Sequence, residues 1–277
     1  MSDFDDAVRA SWAGKAAAFE RSFAALCGYP AGGLLDAVGP LEARTLLDVG
    51  TGTGTVAALA AQRGALTVGV DPDAGMLALA RAKAKTAVFG IDTLPNLHWH
   101  DGTFDAVVAN FVVNHVGDPR GAVAELARVA KPGGSVAVTV WPQPKSPILA
   151  ILDQMVIESG VEAPPARRLP EHLDFARDED GLAGLLTDAG LVDVSATRIS
   201  WTHRTTFDDL WAGQVGGITS AGEIVASQPP ETVERMKATL ALLVELYWDG
   251  DEIALPAEAL LASGRRAEPG NGRAETT

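Results

Sequence analysis

Apolar residues recur along this chain in two patterns, as short continuous runs and as runs with helical spacing. The continuous runs 66–70 and 106–111 have the length of buried strands, whereas the segments 73–85 and 118–129 have helical spacing. Parallel strands that are buried on both faces contain such continuous apolar runs. Their alternation with helices predicts a parallel, doubly wound sheet.

The regular alternation ends near residue 141, and the remaining elements are less regular. Apolar residues at spacings of three and four between residues 4 and 27 predict one or two helices before the first strand. We expect further strands at 86–89, 135–141 and 192–201, a turn at 131–134, helices at 148–159, 179–189, 207–220 and 231–248, and an irregular segment at 163–175. The segment 252–263 fits a last antiparallel strand, but Pro256 argues against a long central strand there.

A glycine-rich loop follows the first predicted strand. The segment 46–54 reads LLDVGTGTG, in which apolar residues and Asp48 precede Gly50, Gly52 and Gly54. Glycine permits positive φ and has no Cβ, so a ligand can touch the main chain of such a loop. The helix that follows presents N–H groups without intrahelical partners at its N-terminus. The sequence therefore predicts a nucleotide-cofactor site at this loop.

The loop partly fits two classes of cofactor. Gly52, Gly54 and Ala57 match the dinucleotide fingerprint G-x-G-x-x-G/A, and Asp71 follows Gly52 by 19 residues. That match is weak when it stands alone. The position of Asp48, two residues before the first glycine, and the strict alternation of the glycines favour a different cofactor class.

Charge and composition exclude several functions. The net charge of −14 would repel a phosphate backbone, so we expect no nucleic-acid partner. Cys27 is the only cysteine, which excludes an intrachain disulfide and is compatible with a cytoplasmic location. No apolar run is long enough to span a membrane. His98 and His100 lack a second ligand cluster, so we expect no metal.

Four segments in the order expected of one family carry a resemblance that extends over about residues 40–142. They are LLDVGTGTG at 46–54, VGVDPDAGMLALAR at 68–81, DGTFDAVVANFVVNHV at 101–116 and ELARVAKPGGSVAVTVW at 125–141. Together they resemble the Rossmann-like (class I) S-adenosylmethionine-dependent methyltransferases, of the small-molecule type that includes the ubiquinone and menaquinone biosynthesis enzymes. The resemblance implies S-adenosyl-L-methionine as cofactor and a small-molecule methyl acceptor as substrate.

Pattern and resemblance together imply an α/β fold. We expect a doubly wound, mostly parallel seven-stranded sheet with its last strand antiparallel, N-terminal helices, and a mainly helical cap inserted after the fifth strand. The expected divisions are an N-terminal helical lid at 1–40, a cofactor-binding core at 41–145, a cap insertion at 146–177, the remainder of the sheet at 178–263 with further cap helices at about 207–248, and a disordered tail at 264–277. We expect a monomer or a homodimer.

The resemblance also implies a set of cofactor-binding residues. Asp71, at the end of the second strand, would accept hydrogen bonds from the ribose hydroxyls, unless it only caps the following helix. Asp48 would contact the loop or the charged end of the cofactor, or only shape the loop. The full set is Asp48, Gly50, Thr51, Gly52, Gly54, Asp71, Pro72, Met76, Asp92, Thr93 and Asn110.

Some members of this set have structural alternatives. Met76 would pack on the adenine or be plain core. Asp92 and Thr93 would contact the adenine amino group, although their spacing departs from the family pattern and an ordinary loop aspartate explains them as well. Asn110 would present its backbone carbonyl to the amino group of the cofactor.

The resemblance implies acceptor residues after the fourth strand, in the N-terminal helix and in the loop after the fifth strand. His115 is the candidate catalytic base, the alternative being a histidine held by hydrogen bonds near the sheet edge. Trp12, Phe19 and Trp141 are candidates for a mostly apolar acceptor pocket.

Two other functional classes stay open at the level of sequence. An NAD(P)-dependent oxidoreductase shares the fold, but neither Tyr29 nor Tyr247 has a lysine at the Tyr-x-x-x-Lys spacing. A cofactor-binding domain used for chemistry other than methyl transfer is the second alternative.

Overall fold

A computed structural model describes residues 3–165 and 168–268 of the chain. Its strands are β1 Thr45–Val49, β2 Leu66–Val70, β3 Val88–Gly90, β4 Phe104–Asn110, β5 Ala130–Val140, β6 Leu191–Thr205, β7 Trp248–Asp249 and β8 Glu252–Arg266. They form one sheet in the order β3-β2-β1-β4-β5-β8-β6, with β7 paired to β8. The strands from β3 to β5 are parallel, and β8 runs antiparallel to both of its neighbours. The predicted fold class is confirmed.

Helices precede the sheet and lie between and beyond its strands along the chain. They are α1 Asp3–Trp12, α2 Ala16–Ser22, α3 Ala24–Gly28, α4 Ala31–Asp36, α5 Thr55–Gln62, α6 Ala74–Lys83, α7 Pro119–Val129, α8 Pro147–Glu158, α9 Glu179–Asp188, α10 Phe207–Val215, α11 Thr219–Ala226 and α12 Pro230–Leu243. Short 3-10 helices lie at Val113–His115 and Glu245–Tyr247.

Strand β4 shows why the middle of the sheet is stable. Val107 and Ala109 face the core that contains α7, whereas Ala106 and Val108 face the core that contains α4 and α5. All four are fully buried, as their alternation on a two-sided strand requires. A third core joins the N-terminal helices to four helices from the second half of the chain, α8, α10, α11 and α12.

Several expected boundaries differ from the structure. In the described part of the chain, four helices precede β1 instead of one or two, and the helix expected at 207–220 is divided into α10 and α11 by Gly217, which has φ +72°. The expected turn 131–134 is an irregularity inside β5, because β4 pairs with Ala130 and then again with Ser135. The helix expected at 231–248 ends at Leu243, and α12 is followed by a 3-10 helix.

The last strand is longer and more central than expected. β8 passes between β5 and β6, and Pro256 lies on it opposite Thr202. β5 pairs only with positions 260–265, so Pro256 has a partner strand on one side alone and its missing N–H is tolerated. β8 also continues to Arg266, three residues into the segment expected to be a disordered tail; residues 269–277 lie outside the described part. The division of the chain into lid, core and cap stays a prediction.

Candidate active site

The residues expected to bind cofactor and acceptor meet at one cavity of about 660 Å³. It opens where β1, β2 and β4 end, which is where open α/β sheets bind ligands. Of the expected residues, those that line it are Asp48, Gly50, Thr51, Gly52, Asp71, Pro72, Met76, Asp92, Thr93, Asn110, His115, Trp12, Phe19 and Trp141. Gly54 does not line it.

The three glycines of the loop after β1 all have positive φ: 65° at Gly50, 54° at Gly52 and 84° at Gly54. A Cβ on Gly52 would have no described atom nearer than Cε1 of Phe19 at 3.9 Å, so the space beside it is open. A Cβ on Gly54 would lie 2.8 Å from Cα of Ala80 in α6. The role of Gly54 in this structure is therefore close packing of α5 on α6, which explains its absence from the cavity wall.

Asp71 organises the cavity floor. Its Oδ2 accepts a hydrogen bond from the Gly52 N–H at 2.9 Å, and its Oδ1 accepts one from the Asp73 N–H at 2.9 Å. The N-cap of α6 is Asp73, which accepts from the Met76 N–H, so Asp71 is not the helix cap considered as its alternative role. Burial raises the pKa of Asp71 to about 6, against the lowering effect of these two N–H groups.

Asp48 lies deeper, at the end of β1. Its Oδ2 accepts from the Thr51 hydroxyl at 2.6 Å, and its Oδ1 has no hydrogen-bond partner within residues 3–165 and 168–268. Burial raises the pKa of Asp48 to about 7; the Thr51 hydroxyl and the main-chain N–H of Ala57 oppose the shift, and the nearby Asp71 adds to it. A buried carboxylate oxygen without a donor is a site that a cationic or hydrogen-bonding ligand would stabilise.

The loop after β3 holds Asp92 by contacts of its own. Oδ1 of Asp92 accepts from the Thr93 N–H at 3.0 Å and lies 2.9 Å from Nδ1 of His98, while Oδ2 accepts from the His98 N–H at 3.0 Å. Asp92 is buried and lines the cavity, so it shapes the loop and also faces the ligand space.

Asn110 joins the end of β4 to the N-terminal helices. Its Nδ2 donates to the carbonyl of Cys27 at 2.8 Å, and its Oδ1 accepts from the Thr139 hydroxyl at 2.6 Å. Both ends of the amide are thus held by the protein, and these two contacts leave one N–H of Nδ2 and one lone pair of Oδ1 unused.

Aromatic rings connect the glycine loop to the segment after β4. Phe19 lies beside Gly52 and makes an edge contact with Trp12, at 5.8 Å between ring centroids. Trp12 makes a second edge contact with His115, also at 5.8 Å. Asp5 of α1 fixes the far end of this row, because its Oδ1 accepts from the Gly117 N–H at 2.7 Å. The N-terminal helices therefore cover the cavity from the loop to His115.

A second aromatic pair also lines the cavity. The rings of Phe111 and Trp141 stack at 4.1 Å between centroids. The main-chain N–H of Trp141 donates to Oδ1 of Asn114 at 3.2 Å, which fixes the amide of Asn114 in the cavity wall.

His115 is neutral in this environment. Burial lowers its pKa to about 4; Glu223 acts in the opposite direction, and the charge of Arg177 lowers the pKa further. No residue in the described part of the chain makes a hydrogen bond to its ring. His115 is therefore not the hydrogen-bonded histidine considered as its alternative role.

Comparison with known proteins agrees with this geometry. Residues 47–138 match the family model described as a methyltransferase domain. A demethylmenaquinone methyltransferase of Renibacterium salmoninarum is 30% identical over 176 residues, which cover 60% of this chain and 74% of that protein. The chain belongs to the class I S-adenosylmethionine-dependent methyltransferases. The oxidoreductase alternative is therefore dropped.

Other relatives of this methyltransferase extend the comparison. A demethylmenaquinone methyltransferase of Clavibacter sepedonicus is 30% identical over 212 residues, covering 70% of this chain and 80% of that protein. The YcgJ protein of Bacillus subtilis has a TM-score of 0.53 at 20% identity, covering 87% of this chain and 99% of that chain. Haemonchus contortus phosphoethanolamine N-methyltransferase 2, solved with S-adenosyl-L-methionine, has a TM-score of 0.52 at 16% identity, covering 86% of this chain and 52% of that chain. The solved structures support the fold alone.

The cavity floor of the methyltransferase fits its methyl donor. S-adenosyl-L-methionine carries a positive sulfonium and an ammonium group, and the unpartnered Oδ1 of Asp48 is a buried acceptor beside the glycine loop. The open space at Gly52 admits a ligand against the main chain. No helix in the described part of the chain has both the length and the apolar character that crossing a bilayer requires. Within the same residues, no cluster of three or more possible metal ligands occurs.

Asn114 and Arg177 are among the polar groups of the methyltransferase cavity that sequence reasoning missed. Asn114 stands next to His115, so its place after β4 was a usable signal. Arg177 is different, because it lies between the cap and α9 and only the fold brings it to the cavity. Its carbonyl accepts from the Gln143 N–H at 2.8 Å, which ties it to the segment that follows Trp141.

Proposed function

We propose that this methyltransferase acts on a small hydroxylated aromatic acceptor of quinol type. The observation that carries the proposal is the aromatic lining of the cavity beyond the glycine loop, which contains the edge-to-face pair Trp12 and Phe19 and the stacked pair Phe111 and Trp141. Flat apolar walls of this kind favour a planar ring. The demethylmenaquinone methyltransferases among its relatives are consistent with such an acceptor.

Each part of the cavity then has a role in the reaction. When bound, S-adenosyl-L-methionine supplies a methyl group on a positively charged sulfur that leaves as a neutral thioether. Asp71 would accept hydrogen bonds from the ribose hydroxyls, and the main chain at Gly52 would contact the methionine part. Met76, Asp92 and Thr93 would enclose the adenine.

The remaining task of the protein is alignment. The reaction needs the nucleophilic atom of the acceptor in line with the methyl carbon and the sulfur, with water excluded. The row formed by Phe19, Trp12 and His115 covers this region, so we assign it to water exclusion and acceptor positioning. Location in the cytoplasm and assembly as a monomer or homodimer stay predictions.

The test is methyl transfer from isotopically labelled S-adenosyl-L-methionine. The protein is incubated anaerobically with a reduced 1,4-naphthalenediol, with its dimethyl ether, and with phosphoethanolamine, and products are analysed by mass spectrometry. We expect label in the naphthalenediol alone. Label in phosphoethanolamine with none in the diol would contradict the proposed acceptor class, and so would the absence of label from all three compounds.

A further inference from the structure

We propose that Arg177 and Asn114 form a subsite for the acceptor oxygen, so that the acceptor reacts as its oxyanion while His115 stays neutral. This inference rests on the proposed function, because it assigns a charge state to the hydroxylated acceptor. Arg177, Asn114 and His115 all line the same cavity.

Arg177 is the best enclosed of three cations at the acceptor end. Its side chain is 19% exposed, compared with 33% for Arg9 and 44% for Lys145. A charge acts over a greater distance when less solvent screens it. Arg177 is thus the cation that can most affect a ligand in this part of the cavity.

The position of Arg177 leaves part of its guanidinium available. Nη1 lies 2.8 Å from Oδ1 of Asp174, and the guanidinium carbon lies 4.8 Å from the centre of the Phe175 ring. Nε and Nη2 have no hydrogen-bond partner among residues 3–165 and 168–268. Arginine presents several donors in a planar group, so one ion pair does not exhaust it.

Asn114 supplies a hydrogen-bond donor to the cavity that Arg177 also lines, and the charge of Arg177 acts on His115, the residue that follows Asn114. Its Oδ1 accepts from the main-chain N–H of Trp141, which orients the amide. Its Nδ2 has no hydrogen-bond partner in the described part of the chain. An amide N–H₂ donates but cannot accept, so it favours an oxygen with a free lone pair. Donors held in place before the ligand arrives stabilise a developing negative charge without reorganisation.

Other charged groups near the subsite are paired. Arg9 pairs with Asp6 at 2.8 Å and Lys145 pairs with Asp153. Glu223 of α11 lies 3.7 Å from Lys15, and Oδ1 of Asp5 is bonded to the Gly117 N–H.

The environment of His115 agrees with this charge distribution. Arg177 and burial both lower its pKa, which is about 4, whereas Glu223 raises it. At neutral pH His115 is a weak base for a phenolic hydroxyl, whose pKa is about 10 for tyrosine. A fixed cation that lowers the pKa of the hydroxyl is the more effective means of ionisation here.

The reaction balances with this assignment. The acceptor hydroxyl loses its proton to solvent before transfer, and its oxyanion is stabilised by Arg177 and Asn114. An electron pair of the oxygen, or of the ring carbon conjugated with it, forms the bond to the methyl carbon. When the ring carbon reacts, the proton that it carried is then lost to solvent and the ring regains its aromaticity. The carbon–sulfur bond breaks, and its electron pair stays on sulfur.

The first experiment is the pH dependence of kcat, measured at saturating hydroxyaromatic acceptor so that it reports the ionisation of the bound acceptor, in Arg177→Gln, Arg177→Lys, Asn114→Ala and His115→Asn. We expect the apparent pKa to rise by about one unit, a tenfold change in ionised acceptor, in Arg177→Gln. Arg177→Lys keeps a positive charge, so its apparent pKa should lie between those of the wild type and Arg177→Gln. Asn114→Ala should raise the apparent pKa by less than Arg177→Gln does. His115→Asn should lower kcat without moving the apparent pKa. Arg204→Gln, outside the cavity, is the matched control.

The second experiment needs no turnover. 4-Nitrophenol, whose ionised form absorbs visible light, is titrated into the protein saturated with S-adenosylhomocysteine. We expect binding to ionise it in the wild type and much less in Arg177→Gln. An absent absorbance shift in the wild type overturns the subsite, whether the phenol stays neutral or does not bind.

Two further outcomes decide between failures. An apparent pKa of kcat that is the same in Arg177→Gln and wild type overturns the subsite, as does a loss of S-adenosyl-L-methionine affinity in Arg177→Gln that equals the loss of turnover. Failure to methylate any hydroxyaromatic compound overturns the proposed function instead, and the nitrophenol titration still reports on the subsite. Thermal unfolding checks that each variant is folded.

Discussion

Asp71 connects the glycine loop to the start of α6, and we expect it to hold the ribose as well. Asp71→Asn keeps the size of the side chain but removes its charge and one acceptor. The loss of charge-assisted hydrogen bonds should weaken S-adenosyl-L-methionine binding by about 2 kcal/mol, or about 30-fold in Kd. Isothermal titration calorimetry measures the effect, with the exposed Asp36→Asn as control. Equal affinity of wild type and a folded Asp71→Asn protein would remove Asp71 from the site.

Gly52 and Gly39 form a matched pair for testing the loop. Both have positive φ, at +54° and +81°, so alanine at either position costs about 1 kcal/mol of backbone strain. Only Gly52 lines the cavity, and its Cβ would enter the ligand space. We expect Gly52→Ala to lose cofactor binding by tenfold or more, about 1.4 kcal/mol, and Gly39→Ala to keep it. Equal affinities measured by calorimetry would show that the ligand does not touch this main chain.

The sequence predicted most residues around the cavity because they lie at strand ends. Asp48, Asp71 and Asn110 each end a strand or follow one, and parallel strands end at the same edge of a sheet. Gly54 has the same spacing, but its backbone is needed for helix packing, which only coordinates reveal. Arg177 reaches the cavity from a distant, irregular segment, so no local pattern could have marked it.

Helices α1 and α2 form the cover of the cavity through Trp12, which touches both Phe19 and His115. Trp12→Ala removes two aromatic contacts of about 1 kcal/mol each, so the cover should close less well. We expect kcat/KM for the acceptor to fall about tenfold or more and S-adenosylhomocysteine to dissociate faster. Stopped-flow displacement and steady-state kinetics measure these effects. Trp248 is an exposed tryptophan outside the cavity, so Trp248→Ala should leave kcat/KM and the dissociation rate unchanged. The same changes in Trp248→Ala as in Trp12→Ala would contradict a role of α1 as cover.

Elements whose apolar residues recur with a clear helical spacing were predictable. Elements whose extent depends on pairing with a distant strand were not. α7 was expected at 118–129 and spans Pro119–Val129, because Asp118 caps it and a proline begins it. β8 was expected to be short because of Pro256, but a single-sided pairing accommodates that residue. The local sequence at 131–134 predicts a turn, but this segment lies within β5 because β4 pairs with the residues on both sides of it.

Across the whole molecule, buried carboxylates make the stability of the ligand-free protein depend on pH. Burial raises the pKa of Asp48 from 3.8 to about 7 in the folded state. The folded protein therefore holds this proton more tightly, so the contribution to stability is full below pH 3.8 and is lost as pH rises through 7. Asp71, with a pKa of about 6, acts in the same direction, whereas the low pKa of His115 removes stability as pH falls below 6.5.

A single substitution isolates the contribution of Asp48 to this pH dependence. The amide introduced by Asp48→Asn does not titrate, so the free energy of unfolding of this variant relative to wild type should increase between pH 5 and pH 8. The increase should be on the order of 2 kcal/mol, from about two pKa units of linkage. Urea unfolding without cofactor at both pH values measures it. A difference between variant and wild type that is the same at both pH values would mean that Asp48 is not the buried acid described above.

The most direct test of the account is a crystal structure with S-adenosylhomocysteine bound. We expect the ribose hydroxyls within hydrogen-bond distance of the Asp71 carboxylate and the methionine part against the main chain of Gly52. The sulfur should face the space enclosed by Trp12, His115 and Trp141. A ligand whose ribose lies away from Asp71, or whose sulfur points away from the aromatic walls, would contradict the assignment of this cavity to methyl transfer.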